Sequence, residues 1–175
     1  MLARRERFGM HGLRYEVIDN FLPEKEFSVI RDVIMGNDFP WFYNDAITFE
    51  DDVGGDLDNH YLTHLFCYHQ NQSPYLQLLS PLLSKLDIQT LLRVKANMHI
   101  KTNEVNMHDK HVDMEKPHKA AIYYINTNNG YTILEDDTKI ESISNRILLF
   151  DASRLHCSTS CSDVKRRVNI NINYY

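Results

Sequence analysis

The 175 residues carry 19 basic and 24 acidic side chains, a formal net charge of −5, which argues against a nucleic-acid partner held through a basic surface. With 43% hydrophobic and 25% charged residues, the composition is that of an ordinary globular protein with one domain and one sizeable core. No apolar run approaches a membrane span, and Met1-Leu2-Ala3-Arg4-Arg5-Glu6-Arg7 lacks the apolar core of a signal peptide. The expected compartment is therefore the cytoplasm, of the organism or of an infected host cell.

In chain order, residues 1–90 read as support. Residues 15–19 alternate as a short strand. Pro23 then stands at a first helical position, with Glu24 and Glu26 at the positive end of the dipole and Phe27, Ile30 and Ile34 at helical spacing until Gly36. Phe39, Trp41, Phe42 and Tyr43 read as packing aromatics. The acidic, glycine-containing loop 50–56 reads as a solvated turn before a mobile lid. His60, His64 and His69 fall in a tyrosine-rich stretch that alternates like a strand edge. A second helix is expected from Pro74, capped by Ser73 and burying Leu78, Leu79, Leu82, Leu83 and Leu86. Both helices would cover a sheet from outside.

Residues 91–175 read as a barrel core with the functional site. Short strands bounded by turn residues are expected over 95–101, 121–126, 128–134 and 145–150, with a last one through Arg167. Between them lies His111-Val112-Asp113, followed by His156. In an extended strand His111 and Asp113 would point the same way and Val112 into packing. Two imidazoles and one carboxylate on one face of Fe(II) leave three positions open.

Arg167 forks toward a carboxylate as a lysine would not. Arg166 is its rival, and strand parity separates them. Arg167 shares a face with Asn169, Asn171 and Asn173, which would line a wet cleft, whereas Arg166 shares one with Val168, Ile170 and Ile172. By the same parity Asn97, His99 and Lys101 face one side, candidates to line the interior and touch substrate. His108 and His118 read as rim residues, since further protein ligands would close positions that dioxygen and a cosubstrate need. Cys67, Cys157 and Cys161 cannot all pair within one chain and contain no Cys-x-x-Cys, so they read as reduced structural thiols rather than a zinc site.

His111-Val112-Asp113, Ile122-Tyr123-Tyr124-Ile125-Asn126, Asn145-Arg146-Ile147-Leu148-Leu149-Phe150, His156 and the strand from Arg167 to Tyr175 stand in order over residues 91–175. Together they resemble the core of the prolyl 4-hydroxylase group of 2-oxoglutarate- and Fe(II)-dependent oxygenases. The run Asn126-Thr127-Asn128-Asn129-Gly130-Tyr131-Thr132 is similar to small members from phages and marine microbes. The resemblance implies a mainly β fold with covering helices, a double-stranded β-helix of the jelly-roll or cupin-like kind. It implies Fe(II) on His111, Asp113 and His156, and 2-oxoglutarate held by Arg167 and Tyr124. Lys101 falls where the animal enzymes carry a tyrosine near the cosubstrate. The implied reaction consumes dioxygen and 2-oxoglutarate, releases succinate and carbon dioxide, and hydroxylates an unactivated C–H bond, with ascorbate as a reductant. A prolyl residue of a peptide is the nearest precedent. Other small molecules and nucleobases stay open as substrates, as does a non-catalytic barrel that binds a metal or partner.

Overall fold

The computed structural model describes residues 6–8, 14–45, 60–114 and 116–175; the acidic loop 50–56 lies outside them. A large sheet contains β1 (Glu6–Phe8), β2 (Arg14–Ile18), β3 (Phe42–Asn44), β4 (Tyr61–Tyr68), β5 (Asn71–Gln72), β6 (Leu91–Ile100), β7 (Lys119–Tyr124), β10 (Ile147–Asp151) and β12 (Arg166–Tyr174). Its order is β1-β2-β10-β7-β12-β6-β4-β3, with β5 beside β4. A small sheet, β11-β8-β9, is made of β8 (Tyr131–Leu134), β9 (Lys139–Glu141) and β11 (His156–Ser158). Every pairing among the described strands is antiparallel, and the fold is the mainly β, double-stranded β-helix type with covering helices.

Alternation along the strands sorts the two faces of the large sheet. Val168, Ile170 and Ile172 of β12, Val94 and Ala96 of β6, and Tyr123 of β7 belong to one buried apolar cluster with Phe27, Ile30 and Ile34 of α1 (Glu24–Ile34). Leu79 and Leu82 join the same cluster. Each such aliphatic or aromatic side chain contributes about 1.5–3 kcal/mol on burial, so the helices are held by the sheet rather than by their own propensity. On the other face, Ala120, Ile122, Tyr124, Leu148 and Phe150 pack against Leu134 and Ile140 of the small sheet. That apolar contact closes one end of the space between the sheets. Toward β6 and β12 the same face turns polar and leaves a cleft.

Local differences from the sequence expectations have physical causes. Pro23 is the N-cap of α1, with extended ψ, rather than its first helical residue; its carbonyl accepts from Glu26 and Phe27. The second helix is split into a 3-10 segment, Pro74–Leu79, and a single-turn α2, Ser80–Leu83. Pro81 has no N–H to return to residue 77, so a continuous α-helix cannot run through it. Ser73 does cap the first piece, accepting from the Tyr75 N–H at 3.2 Å.

Asn145 ties the N-terminal segment to the sheet. It has φ 62°, a conformation that asparagine tolerates better than most residues, and it is buried. Its Nδ2 donates to the Leu22 carbonyl at 2.9 Å, while its Oδ1 accepts from Leu22 N at 3.0 Å and Tyr123 Oη at 2.7 Å. Asn145→Ala should cost about 3–4 kcal/mol in urea unfolding, because three buried groups lose partners at a strained position. Asn145→Gly should cost less by about the strain. Equal losses would place the whole effect in the hydrogen bonds.

Candidate active site

His111 and His156 are brought together by an isolated β-bridge, with His111 N donating to the His156 carbonyl at 2.9 Å and the reverse bond at 3.0 Å. Asp113 follows in a bend. The extended strand expected over His111-Val112-Asp113 is therefore reduced to one bridge, and Val112 is 38% exposed instead of packed. A single bridge fixes His111 and lets the chain turn, so Asp113 reaches β6 and β12. The metal-ligating atoms of His111, Asp113 and His156 lie within 4.8 Å of one another, the one such group among the described residues.

The surroundings set each ligand's protonation. His111 Nδ1 faces the Asp109 carbonyl at 3.2 Å and His156 Nδ1 faces the Arg154 carbonyl at 3.0 Å. Carbonyls only accept, so the protons sit on Nδ1 and each Nε2 keeps its lone pair for a metal. Burial lowers the His156 pKa, against the opposing pull of Asp113 and the Arg154 carbonyl. Burial alone would raise the Asp113 carboxyl, but Arg93, His156, Asn171 and Asn173 together hold it well below the usual carboxylate range. Arg93 Nη2 donates to Oδ1 at 2.6 Å, and the Nδ2 groups of Asn171 and Asn173 donate to Oδ2 at 3.0 and 2.8 Å. Asp113 is thus an ionised ligand held from three sides.

Arg167 is fully buried. Its Nε donates to Ser142 Oγ at 2.9 Å and its Nη2 reaches Thr132 Oγ1 at 3.4 Å, an oxygen that also accepts from Tyr124 Oη at 2.8 Å. Nη1 is buried with no partner. Gly130 makes room for this side chain, since a Cβ there would stand 2.6 Å from Arg167 Cδ and 2.4 Å from the Ser160 carbonyl oxygen. Arg166 points the other way, donating to the Met35 carbonyl and Met98 Sδ behind the sheet. The strand parity that separated the two arginines is the parity of β12.

The cleft wall contains Asn97, His99, Asn169 and Asn171 together with the triad. Lys101 is not on it. β6 ends at Ile100, and Lys101 is exposed, its N–H turned to the Lys165 carbonyl; His99 stands opposite Arg167 instead. His108 sits beside His99, ring centroids 4.8 Å apart, and meets Ser158 Oγ at 2.8 Å. His118 is buried against Asn173 rather than placed on the rim. Asn173, expected on the polar face of β12, stands behind Asp113, and residues that sequence reasoning passed over complete the site: Arg93, Lys95 and Tyr61 around the cleft, and Thr132 and Ser142 on Arg167. Parity along β6, which puts Arg93 and Lys95 on the face of Asn97, was the available signal.

His108 has its pKa lowered to about 4 by burial, then by Arg167 and His111. Its folded value lies below its unfolded one, near 6.5, so between those values the unfolded chain binds the extra proton and stability falls as pH falls. Metal-free protein should lose roughly 2–3 kcal/mol from this group between pH 6.5 and 4.5. His108→Gln should flatten that part of the pH profile in urea titrations; an unchanged slope would show that His108 titrates normally.

The sequence matches no protein-family model and no curated protein. Solved structures do match. A prolyl hydroxylase from Trichoplax adhaerens, in complex with a hypoxia-inducible factor peptide, aligns with TM-score 0.63 and 14% identity over 92% of this chain and 83% of its own. A 2OG-Fe(II) oxygenase-family oxidoreductase from Burkholderia pseudomallei gives 0.65 and 9% over 91% and 84%. The viral collagen prolyl hydroxylase of Paramecium bursaria chlorella virus 1, in complex with 2OG, gives 0.56 and 15% over 92% and 96%. In structure, then, the chain is similar to the prolyl 4-hydroxylases and 2OG-Fe(II) oxygenases, a viral member among them, and it carries a His-x-Asp…His triad in its cleft.

Proposed function

We propose that this chain is an Fe(II)- and 2-oxoglutarate-dependent dioxygenase acting as one domain, with residues 1–90 supporting the core at 91–175. The observation that carries the reading is the pairing of the triad with Arg167, a buried guanidinium whose Nη1 lacks a partner in a neutral pocket. Two imidazole nitrogens and one carboxylate suit Fe(II) and leave coordination positions for a cosubstrate and dioxygen. A buried, incompletely paired guanidinium suits a carboxylate.

His111, Asp113 and His156 would hold the iron, and Arg167 with Tyr124 the far carboxylate of 2-oxoglutarate. When bound, the iron supplies the oxidative step that turns 2-oxoglutarate and dioxygen into succinate, carbon dioxide and a hydroxylated C–H bond. The chain's own residues bind and orient. Asn171, Asn173 and Arg93 keep Asp113 ionised and fixed, the carbonyls of Asp109 and Arg154 hold the imidazole tautomers, and His99 and His108, kept neutral by burial, add no competing charge. No side chain needs an acid–base role. Ascorbate would serve as reductant, and a prolyl residue is the first substrate to try, because the Trichoplax and viral structures are prolyl hydroxylases.

The test is the visible spectrum of metal-free protein, without oxygen, on adding Fe(II) and then 2-oxoglutarate. A weak metal-to-ligand charge-transfer band is expected. Its absence from folded protein would overturn the reading.

A further inference from the structure

On the β4 side of the triad the cleft holds a second pair of anion donors. Lys95 Nζ donates to Tyr61 Oη at 3.0 Å, and both residues line the cleft that contains His111, Asp113 and His156. That bond uses one of the three ammonium N–H groups and leaves the phenol's own proton free to donate. No carboxylate among the described residues pairs with Lys95; the acid in the cleft wall is Asp113, already held by Arg93. Tyr61 is 7% exposed and stacks on His99 at an interplanar angle of 12°, so the hydroxyl is fixed in place. Asn171, directly opposite Lys95 on β12, and Asn97, next on the same face of β6, each keep a buried Oδ1 without a partner. This part of the cleft sets two donors and two free acceptors side by side.

Charge says what. Among the described residues, the cations in and beside the cleft are Arg93, Lys95 and Arg167, and the acid is Asp113, paired with Arg93. Loading a divalent iron and a dianionic cosubstrate cancel, so the loaded cleft keeps two excess positive charges with its buried histidines neutral. 2-Oxoglutarate has two carboxylates, one for Arg167 and one for the metal under the reading above, so neither is left for Lys95, and no carboxylate among the described residues meets its charge.

We infer that Lys95 and Tyr61 form a carboxylate-binding subsite for the substrate to be hydroxylated, so that this substrate is an acid. The inference rests on the dioxygenase reading above. An ammonium and a hydroxyl 3.0 Å apart present two donors to the two oxygens of one carboxylate, and the neighbouring amide oxygens accept N–H groups of the same molecule.

The experiment uses the full chain with Zn(II) in place of iron and saturating 2-oxoglutarate, which blocks Arg167. With 13C-labelled lysine, the ε-methylene signal of Lys95, identified by its loss in Lys95→Gln, is followed during titration with acetate and, separately, acetamide. A saturable shift with acetate, half-complete on the order of 10 mM, and none with acetamide is expected; Tyr61→Phe should weaken it several-fold. No saturable shift with acetate, or an equal one with acetamide, would overturn the subsite. N-acetylglycine competing better than an amidated peptide with one glutamate would identify a small free acid, and the reverse a side-chain carboxylate. The charge-transfer band of the wild-type protein is scored separately: its absence with acetate binding intact would remove the dioxygenase reading and leave an acid-binding cleft.

Discussion

Arg167→Met is expected to make the metal-free protein more stable while nearly abolishing its affinity for 2-oxoglutarate. The guanidinium is fully buried among Ser142, Thr132 and the Tyr124 ring, and burial lowers its pKa because no anion compensates it. Such a charge costs stability, and an apolar side chain of similar length should return about 1–3 kcal/mol in urea unfolding. Removing the one fully buried cation among the described residues should weaken 2-oxoglutarate binding on the order of 10²–10³-fold, read from titration of the charge-transfer band. Arg167→Lys should restore little, because a point charge cannot take the two-oxygen geometry. Gly130→Ala should mimic part of the defect by pushing the arginine from its slot. His111→Ala separates the two functions: it should lose iron binding and turnover outright. An Arg167→Met protein that is destabilised but binds 2-oxoglutarate normally would make the arginine a structural residue.

The parts of this site legible in the sequence are those fixed by short-range rules. The triad and Arg167 follow from residue type and order, and the faces of β12 from alternation alone. What escaped depends on long-range register. Arg93 reaches Asp113 because β6 pairs with β12 so that Arg93 faces Asn173 across 80 residues of chain. Parity gives Arg93 its face, but nothing local to it signals that partner. Parity puts Lys101 on the face of Asn97 and His99, yet the strand stops one residue earlier and leaves it exposed, because strand ends are set by pairing partners rather than by composition. Asp113 is in a bend because His111 finds one bridging partner instead of a ladder. His118 reads as rim in a polar stretch, but the turn before β7 carries it inward to Asn173.

Arg93→Met should be costly in the metal-free protein and much less so with metal. Arg93 Nη2 and Asp113 Oδ1 are 2.6 Å apart, with side chains 20% and 5% exposed. Taking away one partner leaves a carboxylate buried without its counter-charge, a loss of about 3–5 kcal/mol. Asp113 has a depressed folded pKa, so its stabilisation is present above the unfolded carboxylate value and disappears as pH falls through the folded one. Without Arg93, burial, the largest influence, raises that pKa, and acid unfolding should begin at higher pH. A divalent cation on His111, His156 and Asp113 supplies the missing positive charge. Saturating Zn(II) should therefore raise the melting temperature of Arg93→Met by more than it raises that of the wild type. It should also bind more tightly to the variant, because a cation beside the ligand carboxylate is gone. Equal destabilisation with and without Zn(II) would instead mean that Arg93 acts through packing of its side chain between β6 and Asn173.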